Sequence, residues 1–393
     1  MNTAILQAVW FTPAGRRANG EWVWGLPIIY WGKPGIGKSS IVGQVARICG
    51  LSAFVVIASI REPADFLGLP MPVGGKLSYL PPAWARDAAE CDMAVVLLDE
   101  VTTCSPATQA ALLRVVLDRV VGDLQLPGGV RVVCAANPRD VAIGGRDLGA
   151  PLANRLLHDD LDGPSPDAWR AYMIGGGGDT AAEQNLDPVA EQDRVLARWR
   201  EDYAWARGLW SAFVRQHPQA LNGMPKPGDP QASRAWGSPR SLEMAARVTA
   251  SARTHGLDDI DADQMLTMAV GPLIAGQFAL FRHDTSMPDL PDWLDGKVTW
   301  EPDPTRPDRT YAVFDGAAAL IQPRASTPAE EQVRARRAAA LWAHMRPLVD
   351  TTPDIAVTAG ITLTRAGFAS GPEATAVMAA LLPIVKAAGM LKV

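Results

Sequence analysis

Hydrophobic positions in the first half of the chain fall into short, nearly continuous runs separated by helical spacings. Four such runs, Pro27–Trp31, Phe54–Ala58, Ala94–Leu98 and Val130–Ala135, carry little polar alternation. Unbroken apolar runs of this length mark strands covered on both faces, as in a parallel sheet. A fifth strand is predicted near Leu156–Leu161. Helices are predicted at Ser39–Cys49, Pro82–Glu90 and Ser105–Val121. In the last of these Ala110, Leu113, Val116, Leu117 and Val120 recur at spacings of three and four, which predicts one buried face. Repeated strand–helix units of this kind give an α/β layer.

Beyond about Pro164 helical periodicity takes over. Helices are predicted around Pro188–His217, Pro239–His255 and Ala262–Phe281, with Gly- and Pro-rich connections at Gly175–Gly178 and Asn222–Asp229. A Pro/Asp-rich stretch, Met287–Asp308, precedes a helical tail with segments at Thr327–Val349 and Glu373–Ala388. These shifts divide the chain into residues 1–163, an α/β domain, 164–285, a helical domain, and 286–393, a helical extension. No internal repeat or long low-complexity tract is evident.

The most informative segment is Gly32-Lys-Pro-Gly-Ile-Gly-Lys-Ser39, which fits G-x-x-x-x-G-K-[ST] between a predicted strand and a predicted helix. Gly32, Gly35 and Gly37 allow the backbone to wrap phosphate oxygens. Pro34, Ile36 and Ser40 complete the loop, and successive N–H groups and the helix start face the anion. Lys38 is placed to reach the β and γ phosphates, and the Ser39 hydroxyl to ligate Mg²⁺. The expected ligands are therefore ATP or ADP and Mg²⁺.

Some sixty residues on, an apolar strand ends in Asp99-Glu100. Carboxylates are costly within such a strand, but at its C-terminal end they lie beside the phosphate loop of a parallel sheet. Asp99 would hold the Mg²⁺ shell through water, and Glu100 would polarise the attacking water. Asn137, at the end of Val130–Ala135, is placed to hydrogen-bond the γ phosphate or that water.

The ordered set resembles the MoxR-type AAA+ ATPases, in the wider group with dynein-related and McrB-like modules. Ala94–Arg119 is similar to the Walker B strand with its loop and next helix, and Arg131–Pro138 to the strand ending in the sensor-1 asparagine, at Asn137. Pro151–His158 (PLANRLLH) resembles the L-x-N-R-F segment, which places an arginine finger at Arg155, and Gly237–Leu242 (GSPRSL) the sensor-2 helix start, at Arg240. The resemblance spans about residues 27–250. It implies a P-loop parallel-sheet AAA+ core with an α-helical lid and an α-helical C-terminal extension. It also implies a Mg-dependent ATP hydrolase, assembled as a hexameric ring in the family's manner, which remodels or matures a protein partner, such as one with a von Willebrand factor A domain. Arg155 would serve a neighbouring subunit's site, and lid rotation would bring Arg240 onto the γ phosphate.

Two features depart from the family. The loop after Glu100 reads Val-Thr-Thr without the usual Asn, so no switch partner for the glutamate is assigned. The segment after Arg119 is short. Arg61–Trp84 occupies the place of a family hairpin insert, with Gly74-Gly75 suited to its turn. It reads equally as a partner- or pore-facing loop or as a plain surface hairpin.

Composition narrows the alternatives. With 393 residues, 48% hydrophobic and a net charge of −5, the chain has ample material for a core and no bulk affinity for polyanions. A nucleic-acid translocase of the McrB kind would need a basic pore, and Arg61–Trp84 offers little beyond Arg61 and Lys76. An ATP-gated scaffold with little turnover is the other alternative, against which Glu100 and Asn137 count. Cys49, Cys91, Cys104 and Cys134 form no CxxC pair and read as reduced, apolar residues. No window is long and apolar enough for a membrane span, and no secretory leader is evident, so a cytoplasmic location is expected. His158 reads as structural. Trp199, Trp205, Trp210 and Trp236 are expected to pack the lid.

Overall fold

The computed structural model describes residues 3–139, 141, 145–174, 186–226 and 228–387. The connection expected at Gly175–Gly178 lies outside them. The chain divides into two compact units, Met1–Ala197 with Leu221–Ala275, and Arg198–Ala220 with Gly276–Val393.

The first unit is built on five parallel strands: β1 (Ile28–Trp31), β2 (Ser52–Ile57), β3 (Met93–Asp99), β4 (Gly129–Ala136) and β5 (Leu157–Asp160). Their order across the sheet is β5-β1-β4-β3-β2. Around it lie α1 (Thr3–Trp10), α2 (Lys38–Ile48), α3 (Ala83–Glu90) and α4 (Pro106–Asp118). The central strands are buried on both faces, as their unbroken apolar runs require. β2 is different: it is one of the two edge strands, and Val55 and Ile57 are exposed, so its apolar run, which predicts cover on both faces, is covered only on the face of Phe54 and Val56.

Helix α4 also departs from its pattern. Ser105 caps it by accepting from the Thr108 amide at 3.1 Å, a device worth about 1 kcal/mol. It ends at Asp118 because Arg119 turns into a left-handed conformation, φ 54°, and Val120–Val121 then pairs with Leu124–Gln125. The buried face is Thr108, Gln109, Ala111, Leu112, Val115 and Val116, whereas Ala110 and Leu117 are exposed. Polar residues shift the face: Gln109 donates to the Val101 carbonyl at 3.2 Å and accepts from the Gly149 amide at 3.2 Å.

Arg61–Trp84 forms a short helix, Ala64–Leu67, and an antiparallel hairpin, Leu69–Val73 with Lys76–Leu80. Gly74 and Gly75 turn it with φ of 59° and 76°, which a side chain would strain. Its base is anchored by buried Phe66 tilted against Trp84, and by the Tyr79 amide donating to Asp123 at 2.7 Å.

The same unit holds α6 (Pro239–His255) and α7 (Asp259–Val270), reached after α5 (Pro188–Gln216), whose residues are shared between the units. Ser238 and Ser241 form a capping box at the start of α6, with Pro239 at its first turn. The single helix expected over Ala262–Phe281 is broken at Gly271, φ 79°, before Pro272 opens α8 (Pro272–Asp284). A Cβ at Gly271 would lie 2.8 Å from the Ala235 carbonyl oxygen, so the break is fixed by packing as well as by proline.

The second unit is helical, with the later part of α5, most of α8, α9 (Pro307–Ile321), α10 (Pro328–Met345), α11 (Pro353–Arg365) and α12 (Pro372–Ala387). Gly208 lets α5 and α9 approach closely, since a Cβ there would lie 2.2 Å from the Ala312 carbonyl oxygen. Trp210 stacks on Phe278 with centroids 3.8 Å apart, and Phe213 and Phe281 complete an aromatic core. Trp210 and its partners all lie within the expected range 164–285, although they fall in the second unit, while Trp236 lies half-buried in the first. Trp342 is buried in the second unit too, donating to the Phe368 carbonyl at 2.7 Å. No helix among the described residues is long and apolar enough to cross a membrane.

Candidate nucleotide site

Parallel strands deliver their C-terminal ends to one edge of the sheet, and the candidate residues gather there for that reason. The β4–β1 register pairs Ala136 with Trp31, so Asn137 emerges beside Gly32. The β3–β4 register pairs Leu98 with Cys134, which brings Asp99 alongside.

Lys38 Nζ donates to the Gly32 carbonyl at 2.7 Å, the Lys33 carbonyl at 3.2 Å and Asn137 Oδ1 at 2.6 Å. Burial pushes its pKa down, opposed by the charges of Asp99 and Glu100. Ser39 donates to Asp99 Oδ2 at 2.6 Å. Gly35 and Gly37 have φ of 82° and 88°, and nothing lies within 4 Å of where a Cβ would be built. The space on the Cβ side of both glycines is open, and the loop follows β1 and precedes α2 as an anion cradle requires. Gly32 is constrained differently: a Cβ there would lie 2.4 Å from Ile36 Cδ1 and 2.9 Å from the Leu161 carbonyl oxygen. Pro34 is exposed at the tip, while Ile36 and Ser40 line a cavity of about 650 Å³ with Gly35 and Gly37.

These residues suit a triphosphate and its cation. The Ser39 hydroxyl and the Asp99 carboxylate are adjacent oxygen donors of the kind Mg²⁺ selects. Lys38 stands over the loop with its charge shared among carbonyl oxygens that phosphate oxygens can replace.

Glu100 adopts a left-handed conformation, φ 59°, uncommon for a residue with a side chain and costing about 1–3 kcal/mol. Its amide donates to Asp99 Oδ1 at 2.8 Å, and its carboxylate accepts a short hydrogen bond from the Ser59 hydroxyl. Sequence reasoning misses Ser59. It lies two residues past β2, and only the β2–β3 pairing of Ile57 with Asp99 places it beside Glu100. A polar residue just beyond an apolar strand is the only signal the sequence offers for it.

Arg155 and Arg240 are not in this cluster. Asn154 accepts from the Ser238 hydroxyl at 2.8 Å and donates to the Trp236 carbonyl at 3.3 Å, which brings the two neighbouring arginines together. Arg155 is half-buried and donates to the Pro151 carbonyl, while its Nε is buried with no hydrogen-bond partner among the described residues. Burial lowers its pKa first, and the charge of Arg240 adds to that. Arg240 is exposed. Gln264, from α7, lies on the cavity wall.

His158 is structural in its contacts. Trp31 Nε1 donates to His158 Nδ1 at 3.0 Å, which leaves Nε2 as the protonated nitrogen for the Ala153 carbonyl at 2.9 Å. Burial pushes its pKa down to about 4. All four cysteines are free thiols.

Residues 27–156 match the family model of the AAA domain, dynein-related subfamily. A 144-residue stretch is 27% identical to midasin from Giardia intestinalis, covering 35% of this chain and 3% of midasin, so the chain corresponds to a small fraction of that relative. Among solved structures, a protein from Cytophaga hutchinsonii described as a “putative ATPase” superposes with a TM-score of 0.42 at 14% identity, over 68% of this chain and 78% of the other. Strand order and phosphate loop agree with the match of residues 27–156 to the model of the AAA domain, dynein-related subfamily.

Proposed function

We propose that the chain is a Mg-dependent ATP hydrolase of the MoxR type that works as a ring and remodels a protein partner. The observation that carries this is the convergence of Lys38, Ser39, Asp99, Glu100 and Asn137 at one sheet edge. In this reading the loop amides from Gly32 to Ser40 and Lys38 bind the phosphates, and Ser39 and Asp99 hold the cation. Bound Mg²⁺ would neutralise charge on the β and γ phosphates. Asn137 orients the terminal phosphoryl group, and Glu100 orients and deprotonates the attacking water.

Ser59 holds the Glu100 carboxylate before that step. Ser59 also lies in the short turn Ala58–Ile60 that leads into the hairpin, and the Arg61 carbonyl there accepts from Thr108 Oγ1 at 3.3 Å. A partner pulling on the hairpin would therefore act on Glu100 through the chain from Leu69 back to Ser59, by way of the short helix Ala64–Leu67. The hairpin presents Leu69, Met71, Val73, Leu77, Tyr79 and Leu80 to solvent, with Leu77 64% exposed. An apolar tip suits a protein client better than a polyanion.

Arg155 would face a nucleotide held by another copy of the chain, in a cytoplasmic ring, and lid rotation would bring Arg240 onto the γ phosphate. A hexamer is the expected stoichiometry. The test is Glu100→Gln: Mg-ATP binding by calorimetry is retained while phosphate release falls about 10²–10⁴-fold. Undiminished turnover would remove Glu100 from the reaction.

A further inference from the structure

The cavity beside the phosphate loop has a second, apolar half. Ile36 and Ile41 form part of its wall, and Trp169 and Tyr172 form another part. The two aromatic residues stand three apart on the helix Pro166–Ile174, hence on one face, and are 53% and 52% exposed. Flat rings left half in water beside an anion cradle match a heterocycle attached to the phosphates, and stacking on such rings is worth about 1–3 kcal/mol per base.

Among the polar side chains on this wall, which include Gln44, Gln264 is held by a hydrogen bond that orients it. Its Nε2 donates to Asp159 Oδ1 at 3.2 Å, and Asp159 is 7% exposed at the end of β5. Burial pushes the Asp159 pKa up while the Gln264 hydrogen bond draws it down; the ionised carboxylate can only accept, which turns Nε2 of the carboxamide toward it. Its Oε1 is then the atom offered as an acceptor. An acceptor pairs with the exocyclic amine of a 6-aminopurine and repels the oxygen of a 6-oxopurine, and a polar mismatch in such a site is costly.

We propose that Gln264, oriented by Asp159, makes this cavity select adenine over guanine, with Trp169 and Tyr172 covering the base. This deepens, and rests on, the assignment of Gly32–Ser39 as the phosphate cradle. Asp159 is a positioning residue, acting through Gln264.

The experiment is calorimetry on the full chain with Mg²⁺ and three probes: ATP, GTP and inorganic tripolyphosphate. The unaltered chain should bind ATP at least about tenfold more tightly than GTP, one hydrogen bond's difference. Gln264→Leu should weaken ATP by about tenfold, close the gap to GTP and leave tripolyphosphate unchanged. Asp159→Asn lets the carboxamide turn over and should move the preference toward GTP. Trp169→Ala should weaken ATP and GTP alike, by about fivefold or more, and leave tripolyphosphate unchanged. Equal binding of ATP and GTP by the unaltered chain, or an unchanged ratio in Gln264→Leu, would overturn the proposal. An unchanged ratio in Asp159→Asn alone would remove its orienting role. Failure of the cradle would look different: Lys38→Ala would then bind tripolyphosphate as well as the unaltered chain does.

Discussion

Lys38 and Arg155 are both cations resting on carbonyl oxygens, yet their surroundings differ. Lys38 shares its charge with two loop carbonyls and Asn137, and feels the carboxylates of Asp99 and Glu100. Arg155 has the like charge of Arg240 beside it and a buried Nε without a partner among the described residues. An unmet donor in a half-buried guanidinium costs about 1–3 kcal/mol, and a neighbouring cation adds to that. The first corner is complete within one chain. In the second, the charge of Asp118 only partly offsets burial and the charge of Arg240, and this shortfall is the physical argument for reading it as a surface presented to another copy.

The largest effect should come from the incomplete corner. Arg155→Ala is expected to keep Mg-ATP binding and to lower turnover by roughly 10³-fold, the usual worth of a trans-acting arginine. Equal loss of binding and turnover, measured by calorimetry and phosphate release, would instead place Arg155 in its own chain's cradle.

β5 joins the two corners, and its packing titrates. Burial lowers the His158 pKa to about 4 from an ordinary 6.5, so between those values the unfolded chain binds the extra proton. Stability should therefore be full above pH 6.5 and be lost as pH falls toward 4, by an amount of order 1 kcal/mol per pH unit. Denaturation midpoints across that range should show the loss. His158→Gln, which can still accept from Trp31 but does not titrate, should show less of it.

The smallest effect is expected at Ser59. Its hydrogen bond holds the Glu100 carboxylate, and removing it in Ser59→Ala should raise basal turnover about three- to tenfold with little change in ATP affinity. A fall in turnover would mean that Ser59 supports Glu100 in catalysis and does not restrain it.

The contrast between the corners also marks what is legible in the sequence. The five strands and the ends of β1, β3 and β4 follow from apolar runs and from residues local to them, because a parallel sheet places all such ends at one edge. The pairing of Arg155 with Arg240 does not follow, since it depends on the Asn154–Ser238 hydrogen bond across 84 residues of chain. Ser59 is hidden because strand order is invisible to periodicity, and the β2 pattern alone allows other pairings. The buried face of α4 is displaced because Thr108 and Gln109 are buried through hydrogen bonds, which a hydrophobicity pattern does not register. The range 164–285 is shared between the two units, because aromatic spacing tells that the tryptophans of α5 are buried but not against what.

The most direct test mixes two defective proteins. Lys38→Ala lacks the cradle but keeps Arg155; Arg155→Ala lacks the arginine but keeps the cradle. If the cradle is served by another copy's arginine, the mixture should release phosphate from Mg-ATP well above the sum of the two alone. A mixture no more active than its separate components, under conditions where the two are shown to co-assemble, would contradict it.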